Sequence, residues 1–191
     1  AYDSNGNRIS MTDPNGNTTT YTYNALDRLV QKDEPEGNST IYAYDEIGNL
    51  IQLTKPNGTV IQYAYDSLNR LTTVTYPDSS KVMFTYDANN NRLQMVDSLG
   101  TQTYLYDALN RMTSHVDPYG NTIGYGYDAN SNRTSLTYPG NKEVQYTYDA
   151  LNRLTDVTDW LTNTTHYDYD AASRMIQITN PNGTTAGYGY D

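Results

Sequence analysis

The chain of 191 residues has a formal net charge of −10 and no cysteine. Its acidity disfavours binding to nucleic acid phosphates, and no apolar run approaches the ~20 residues of a membrane span, so we expect neither a nucleic acid partner nor membrane insertion. A disulfide framework and a thiolate zinc site are excluded. The 21 tyrosines can each bury a ring while the hydroxyl stays solvated, which predicts an ordered protein with a small aliphatic core.

A tyrosine followed by aspartate or asparagine recurs at intervals of 21 residues, with a single interval of 20. Intervals this constant predict one continuous array of nine repeats over residues 1–191 without separate domains, because one extra residue would turn a strand's side chains to the opposite face. The marker pairs are Tyr2-Asp3, Tyr23-Asn24, Tyr44-Asp45, Tyr65-Asp66, Tyr86-Asp87, Tyr106-Asp107, Tyr127-Asp128, Tyr148-Asp149, Tyr169-Asp170 and Tyr190-Asp191.

Each repeat opens with a polar connection that carries an arginine five or six residues after the marker tyrosine. Only the repeat at Tyr44 lacks one and has Asn49 instead. Each arginine can reach a nearby aspartate or stack on a tyrosine ring, so we interpret this motif as structural. The arginines are Arg8, Arg28, Arg70, Arg92, Arg111, Arg133, Arg153 and Arg174.

The first predicted strand follows this connection. The residue nine positions after the marker tyrosine is apolar in seven repeats, and Lys32 and His115 are the exceptions. Residues two positions earlier are also apolar in several repeats, which predicts one apolar face at period two. The apolar residues at the later position are Met11, Leu53, Val74, Met95, Leu136, Val157 and Ile178, and those at the earlier position include Ile9, Ile51, Leu93 and Ile176.

A Pro-Gly connection and a second strand complete the repeat. Residues 13–16, and their relatives at 55–58, 117–120 and 180–183, place proline and glycine as a tight turn requires. The strand that follows carries aromatic residues two apart, which lie on one face of a β-strand. These pairs include Tyr21/Tyr23, Tyr42/Tyr44, Tyr63/Tyr65, Phe84/Tyr86 and Tyr188/Tyr190.

Both connections are too short for a crossover helix, so neighbouring strands should run antiparallel. We therefore predict an all-β fold of tandem β-hairpin repeats, about 21 residues and two strands each, in a meander of about 18 strands. Strongly twisted sheets of more than ~10 strands tend to curl, split or flatten. A curled antiparallel sheet, as in a spiral shell or tube wall, is the expected form.

The recurring pattern Y-D-x-x-[NG]-R-[LIM], with Pro-Gly turns between copies, resembles the YD-repeat or RHS-repeat family over the whole chain. The resemblance implies a β-sheet that spirals into a hollow cage. Such cages enclose toxic segments in bacterial toxin complexes and RHS effectors, and the repeats also occur in wall-associated proteins and in the teneurin scaffold. The chain shows no RHS-associated core region with autoproteolytic aspartates, so neither self-cleavage nor toxicity is carried over.

Several side-chain groups are candidate sites. Three repeats read Asp-x-Asn-x-Asn, beginning at Asp3, Asp87 and Asp128, like the opening of a calcium loop. Arginine follows where such a loop needs glycine, so Asx turns are the better prediction. Asp168 with Asp170 is a weak candidate for hydrolysis, His115 and His166 have no triad partners, and Trp160 is a candidate for sugar stacking. We assign no catalytic, cofactor or metal site and predict that the chain is not an enzyme.

The leading functional hypothesis is a structural shell or scaffold, secreted or on the cell surface of a bacterium, that encloses a cargo polypeptide. The alternatives are a filament or tube that assembles end to end and an adhesin that binds glycans through its tyrosine-rich face. The chain begins and ends at the same phase of the repeat, so we expect a segment of a longer protein or a repeating unit. Its expected partners are other repeats, of the same or an identical chain, at exposed strand edges, together with an enclosed cargo or glycans.

Overall fold

The computed structural model describes residues 1–191 and contains eighteen β-strands and no helix. The predicted all-β fold of tandem antiparallel hairpins is therefore confirmed. The strands are β1 (Ser10–Thr12), β2 (Thr18–Tyr23), β3 (Leu29–Asp33), β4 (Ser39–Tyr44), β5 (Leu50–Thr54), β6 (Val60–Tyr65), β7 (Leu71–Thr75), β8 (Lys81–Tyr86), β9 (Arg92–Asp97), β10 (Gly100–Tyr106), β11 (Met112–Val116), β12 (Thr122–Tyr127), β13 (Arg133–Tyr138), β14 (Lys142–Tyr148), β15 (Leu154–Thr158), β16 (Thr164–Tyr169), β17 (Met175–Thr179) and β18 (Thr185–Gly187).

The chain divides into two compact units. Unit 1 comprises Ala1–Thr85 and Met95–Gly100, and unit 2 comprises Tyr86–Gln94 and Thr101–Asp191. In unit 1 the strands from β1 to β8 pair antiparallel in chain order. In unit 2 the strands from β10 to β18 do the same. Each strand thus lies beside its neighbours in sequence, as short connections require.

The paired tyrosines define one face of the sheet in each unit, which we call the tyrosine face. The residue nine positions after a marker tyrosine lies on this face, directly opposite the first tyrosine of the preceding strand: Val74 pairs with Tyr63 and Ile178 with Tyr167. Side chains alternate between the two faces, so the β2 strand reads exposed and half-buried in turn, with its tyrosines half-buried. The second-strand tyrosines and the apolar residues of the first strand therefore pack together.

A β-bulge recurs in the strand pairs that are joined by the marker-tyrosine turns, and it alters the apolar face predicted for the first strand. In β5, Leu50 pairs with Tyr44 and Gln52 with Ala43, which leaves Ile51 as an extra residue without a cross-strand partner. Leu50 rather than Ile51 therefore lies on the tyrosine face, and Ile51 is 39% exposed. The same register shift occurs at Ile176 in β17. The prediction of strict period two was wrong at this position because a bulge places two residues against one.

Few side chains are buried anywhere in the chain. Only Ile61, Val74 and Tyr104 are buried hydrophobic residues, and no polar or charged residue is buried. The accessible surface of 12107 Å² exceeds the ~9,200 Å² typical of a compact protein of this mass. The structure holds no helix with the length and apolar character that crossing a bilayer requires.

Candidate functional site

The connection after each marker tyrosine is organised by its aspartate side chain. In the first repeat, Asp3 Oδ1 accepts hydrogen bonds from the backbone N–H groups of Asn5 and Asn7 at 2.9 and 2.8 Å, and Oδ2 accepts one from Asn7 Nδ2 at 3.0 Å. Gly6 has a positive φ of 88°. The same bonds recur in the Pro-Gly turn, where Asp13 accepts from Asn15 and Asn17. Both connections of this repeat are therefore Asx turns closed by a left-handed residue.

The fourth residue after the marker aspartate or asparagine alternates between asparagine and arginine through the first eight repeats. An arginine here donates its Nε to the aspartate Oδ2, as in the ion pair of Arg70 with Asp66 at 2.7 Å. An asparagine donates Nδ2 to the same oxygen, so Asn49, which stands where the sequence lacks an arginine, bonds Asp45 at 2.9 Å. The alternating residues are Asn7, Arg28, Asn49, Arg70, Asn91, Arg111, Asn132 and Arg153, and the ninth repeat has Arg174.

The same residue also bonds the next repeat. Asn132 Nδ2 donates to the Asn152 side chain at 2.8 Å, and Asn7 Nδ2 donates to Asp27 at 2.7 Å. Arg153 Nη1 instead donates to the backbone carbonyl of Asp170 at 3.0 Å. Consecutive turns are therefore joined into a ladder along one edge of each unit.

The spacing of each arginine from its marker tyrosine decides which ring it covers. An arginine at spacing five stacks on the marker tyrosine of the next repeat, as Arg111 does on Tyr127 at 4.7 Å. An arginine at spacing six follows an asparagine and stacks on the first tyrosine of the next pair, as Arg133 does on Tyr146 at 4.6 Å. These guanidinium groups cover faces of the rings that a glycan would need. The structure therefore does not favour glycan binding through the tyrosine face.

The marker tyrosine hydroxyls connect each hairpin to the one before it. Tyr44 donates to the carbonyl of Leu29 at 2.9 Å, and Tyr169 donates to that of Leu154 at 2.9 Å. Burial raises the pKa of Tyr44, Tyr65, Tyr106 and Tyr148, which keeps these hydroxyls protonated as donors. The marker tyrosine, and the arginine or asparagine of the turn, therefore contact the neighbouring repeat, whereas the marker carboxylate bonds within its own turn.

Comparison with protein families identifies this repeat. A profile of the teneurin YD-shell matches residues 1–158. The chain belongs to the teneurin YD-shell family. A profile of the RHS repeat also matches residues 148–185 of the YD shell, so the resemblance drawn from the sequence is confirmed. The comparison with curated protein sequences gave no match.

Two solved structures share the fold of the YD shell. One is TcdB2-TccC3 without its hypervariable C-terminal region, with a TM-score of 0.72 and 17% identity over 95% of the chain. The other is the Photorhabdus luminescens Tc holotoxin pore, with a TM-score of 0.63 and 15% identity over 94% of the chain. The chain spans only 12% and 13% of the length of those chains. At these identities the likeness shows the fold alone.

The carboxylates of the YD-shell turns predict a loss of stability in acid. A side-chain hydrogen bond from Arg111 lowers the pKa of Asp107, and one from Asn132 lowers the pKa of Asp128. A hydrogen bond from the backbone N–H of Arg153 lowers the pKa of Asp149. A carboxylate whose pKa is lowered by folding stabilises the protein above its unfolded-state pKa of about 3.9. This stabilisation is lost as the pH falls through the folded-state pKa. We expect the thermal midpoint to fall steeply below about pH 4. A midpoint that stays constant in acid, at fixed ionic strength, would contradict this.

One turn of the YD shell lacks its carboxylate. Asn24 stands in the aspartate position and its Oδ1 accepts the backbone N–H groups of Leu26 and Arg28. The Nε of Arg28 is consequently buried without a hydrogen-bond partner. Asn24→Asp supplies the oxygen that Asp66 offers Arg70, so we expect a gain of about 0.5–1.5 kcal/mol in the free energy of unfolding, measured by urea denaturation. Asn24→Ala should be destabilising, and equal stabilities of the two variants would contradict the assignment.

His166 lies between two carboxylates on the face opposite the tyrosines. Its Nδ1 is 2.7 Å from Asp156 and its Nε2 is 3.3 Å from Asp168. The Asp156 hydrogen bond raises the pKa of His166, so its contribution to stability is complete below the unfolded pKa of about 6.5 and lost as the pH rises through the folded pKa. We expect Asp156→Asn to lower this pKa more than Asp168→Asn does, measured by NMR titration of the imidazole. Equal effects would contradict the ranking.

The remaining candidates from the sequence lie in separate environments. The carboxylates of the suspected calcium loops already accept the N–H donors of Asx turns, as at Asp128. Asp170 bonds Arg174 whereas Asp168 faces His166, so this pair is not brought together for hydrolysis. His115 stacks on Tyr104, with ring centroids 4.9 Å apart. The asparagine ladder, which sequence reasoning missed, was visible as an asparagine four residues after alternate aspartates.

Proposed function

We propose that this chain is a segment of a structural wall without catalytic activity. The observation that carries the proposal is the ladder, in which the arginine or asparagine of a turn and the marker tyrosine bond the neighbouring repeat, while the aspartate closes its own turn. Catalysis requires one asymmetric group of side chains, whereas these polar groups serve the same contacts in successive repeats. In a sheet with three buried hydrophobic residues, such contacts supply cohesion that an aliphatic core would otherwise give.

The wall is proposed to enclose a cargo polypeptide and to be secreted or displayed on a cell surface. The shared fold with TcdB2-TccC3 and the Tc holotoxin pore supports this proposal, because the second of these is a toxin assembly. Each chain in those structures is far longer than this one, so the enclosed volume would be completed by further repeats. Strand edges offer unpaired backbone groups through which such repeats can join.

Small-angle X-ray scattering of the 191-residue chain tests the wall. A compact globule of this length would have a radius of gyration of about 16 Å. We expect a clearly larger value at low concentration, with the scattering curve of a curved plate. A radius near that of a compact globule would contradict the proposal. Growth of the particle with concentration would favour the filament over the enclosing wall, and electron microscopy would then show fibres instead of closed particles.

A further inference from the structure

Asparagine is followed by glycine at four turns of the chain. All four asparagines are exposed, and all four glycines have positive φ angles between 77° and 88°. Because glycine has no Cβ, its backbone nitrogen can approach the side-chain carbonyl carbon of the preceding asparagine. Each pair is therefore a place where a carboxamide can react with its own main chain. The pairs are Asn5-Gly6, Asn15-Gly16, Asn57-Gly58 and Asn182-Gly183.

The side-chain oxygens of these asparagines differ in the hydrogen bonds that they accept. Oδ1 of Asn182 accepts two bonds from Thr184, one from the backbone N–H at 3.0 Å and one from the hydroxyl at 2.7 Å. Oδ1 of Asn57 accepts only the backbone N–H of Thr59, at 3.0 Å. The Asn15 carboxamide forms no hydrogen bond, although its backbone N–H bonds the turn aspartate. The same dipeptide thus has two donors, one donor and none on its oxygen.

The first residue of the turn explains this difference. Asp13 accepts the N–H groups that would otherwise be available to Asn15. The turn of Asn182 begins with Asn180, which has no carboxylate and instead donates Nδ2 to the Thr184 hydroxyl at 3.0 Å. A hydroxyl that accepts on one side can direct its own proton to the other, here to Asn182. The turn therefore orients both Thr184 donors toward one oxygen.

The Asn182 turn also holds a nucleophile and an electrophile together. The bond from the Thr184 N–H closes a ring of atoms that contains Cγ of Asn182 and the backbone nitrogen of Gly183, which is the form of an Asx turn. When this nitrogen attacks Cγ, negative charge develops on Oδ1, where both Thr184 donors point. Donors placed on such an oxygen lower the barrier to attack, as in an oxyanion hole.

Asn5 represents the opposite arrangement. Its Nδ2, the nitrogen that deamidation removes, donates to Asp27 Oδ1 at 2.9 Å. A carboxylate that accepts from an amide nitrogen strengthens the conjugation of that nitrogen with the carbonyl, which makes the carbonyl carbon less electrophilic. The backbone N–H of the glycine bonds the first carbonyl of the turn at all four sites, so that contact does not distinguish them.

We propose that Asn182 is a site of self-catalysed deamidation. Hydroxide removes the N–H proton of Gly183, the nitrogen forms a bond to Cγ of Asn182, and the electron pair of the C=O bond moves to Oδ1. The C=O bond then re-forms while the Cγ–Nδ2 bond breaks, and the nitrogen takes a proton from water and leaves as ammonia. Water opens the resulting succinimide at either carbonyl to give aspartate or isoaspartate. The net reaction consumes one water and releases one ammonia, without an oxidant or reductant.

The two products change the β17–β18 hairpin differently. Aspartate keeps the main chain unchanged and adds a carboxylate that accepts the same Thr184 donors. Isoaspartate adds a methylene to the main chain, inside the turn that the Asn180 N–H closes on the Thr184 carbonyl at 2.8 Å. The modification is thus a one-way change of this turn. It is independent of the structural role proposed above, because it uses none of the ladder residues.

Peptide mass spectrometry of the folded chain, incubated in mildly alkaline buffer, measures all four sites in one sample. We expect the rates to fall in the order Asn182, Asn57, Asn15 and Asn5, with about a two- to tenfold difference for each hydrogen bond. Asn57 and Asn182 lie in identical Pro-Asn-Gly-Thr segments, so their rates should become equal in urea. No product at Asn182 in the folded chain, or faster reaction at any of the other three sites, overturns the proposal.

Substitution of the donor separates the hydroxyl from the mobility of the hairpin. Thr184→Val keeps the backbone N–H and the branched shape, so the rate at Asn182 should fall to about that at Asn57, whereas Thr184→Ser should retain it. Asn180→Lys, which takes the residue that begins the Asn57 turn, should slow Asn182 in the same way. Thr59→Val is the matched control and should leave Asn57 unchanged, because the Thr59 hydroxyl does not bond it. If Asn182 reacts equally fast with valine at position 184 and an unchanged circular dichroism spectrum, the hydroxyl has no role and the proposal is wrong.

Discussion

Tyr104→Ala is expected to lower the free energy of unfolding by about 3–5 kcal/mol, the range for loss of a buried aromatic side chain. Tyr104 is the most buried of the core residues at 6% exposure. Its ring contacts the Arg92 guanidinium at 4.6 Å and the His115 ring at 4.9 Å, and its hydroxyl donates to Gln102 at 3.1 Å. The variant therefore removes a ring that two cationic or aromatic neighbours pack against. Urea denaturation followed by tryptophan fluorescence measures the change, because Trp160 lies in the same unit.

Two further variants separate the contributions at this position. Tyr104→Phe keeps the ring and loses only the hydroxyl bond, so we expect a loss of about 1 kcal/mol. Tyr119→Ala is the control for the loss of a tyrosine without burial, since Tyr119 is 77% exposed in a turn. It should change stability by no more than about 0.5 kcal/mol. Similar losses from Tyr104→Ala and Tyr119→Ala would show that ring packing on the tyrosine face does not stabilise the sheet.

Ile61→Ala should lower the free energy of unfolding by about 2–3 kcal/mol, the lower part of the range for a buried isoleucine. Ile61 is 7% exposed and pairs with Leu53 on the tyrosine face. We expect the lower part of the range because half-buried neighbours can move into the space that the side chain leaves. Chemical denaturation monitored by far-ultraviolet circular dichroism measures the loss.

The control for this prediction is the same substitution on the opposite face. Ile41 is 44% exposed and lies one hairpin earlier, where it pairs with Gln31. Ile41→Ala should cost less than about 1 kcal/mol. A larger loss at Ile41 than at Ile61 would mean that the face opposite the tyrosines is the stabilising one.

The strands, their antiparallel pairing and the positions of the turns followed from the sequence. These features are local, because the aromatic pairs, the prolines and the glycines act within a few residues of their own position. The sequence also placed every arginine near an aspartate or a tyrosine. It could not assign the ring that each arginine covers. Arg111, at spacing five, covers the next marker tyrosine, Tyr127, whereas Arg133, at spacing six, covers Tyr146, the first tyrosine of the next pair.

The sequence did not predict the bulge. Leu50 and Ile51 are both aliphatic, and only the register against Ala43 and Tyr44 shows that Ile51 is the extra residue. A strand's faces depend on which partner residue stands opposite, so periodicity along one strand cannot decide them alone. The asparagine that replaces arginine in alternate turns was visible in the sequence, but its bond to the next repeat depends on the distance between turns.

By itself, the sequence determined that this chain is a tandem array of YD-type hairpins, because a constant interval and local turn chemistry specify the repeat. The tertiary structure alone decided two other features: the bulged register and the ladder that joins successive turns. Both arise where residues far apart in the chain lie side by side. Their contacts depend on strand pairing, which the composition and spacing of a single repeat do not contain.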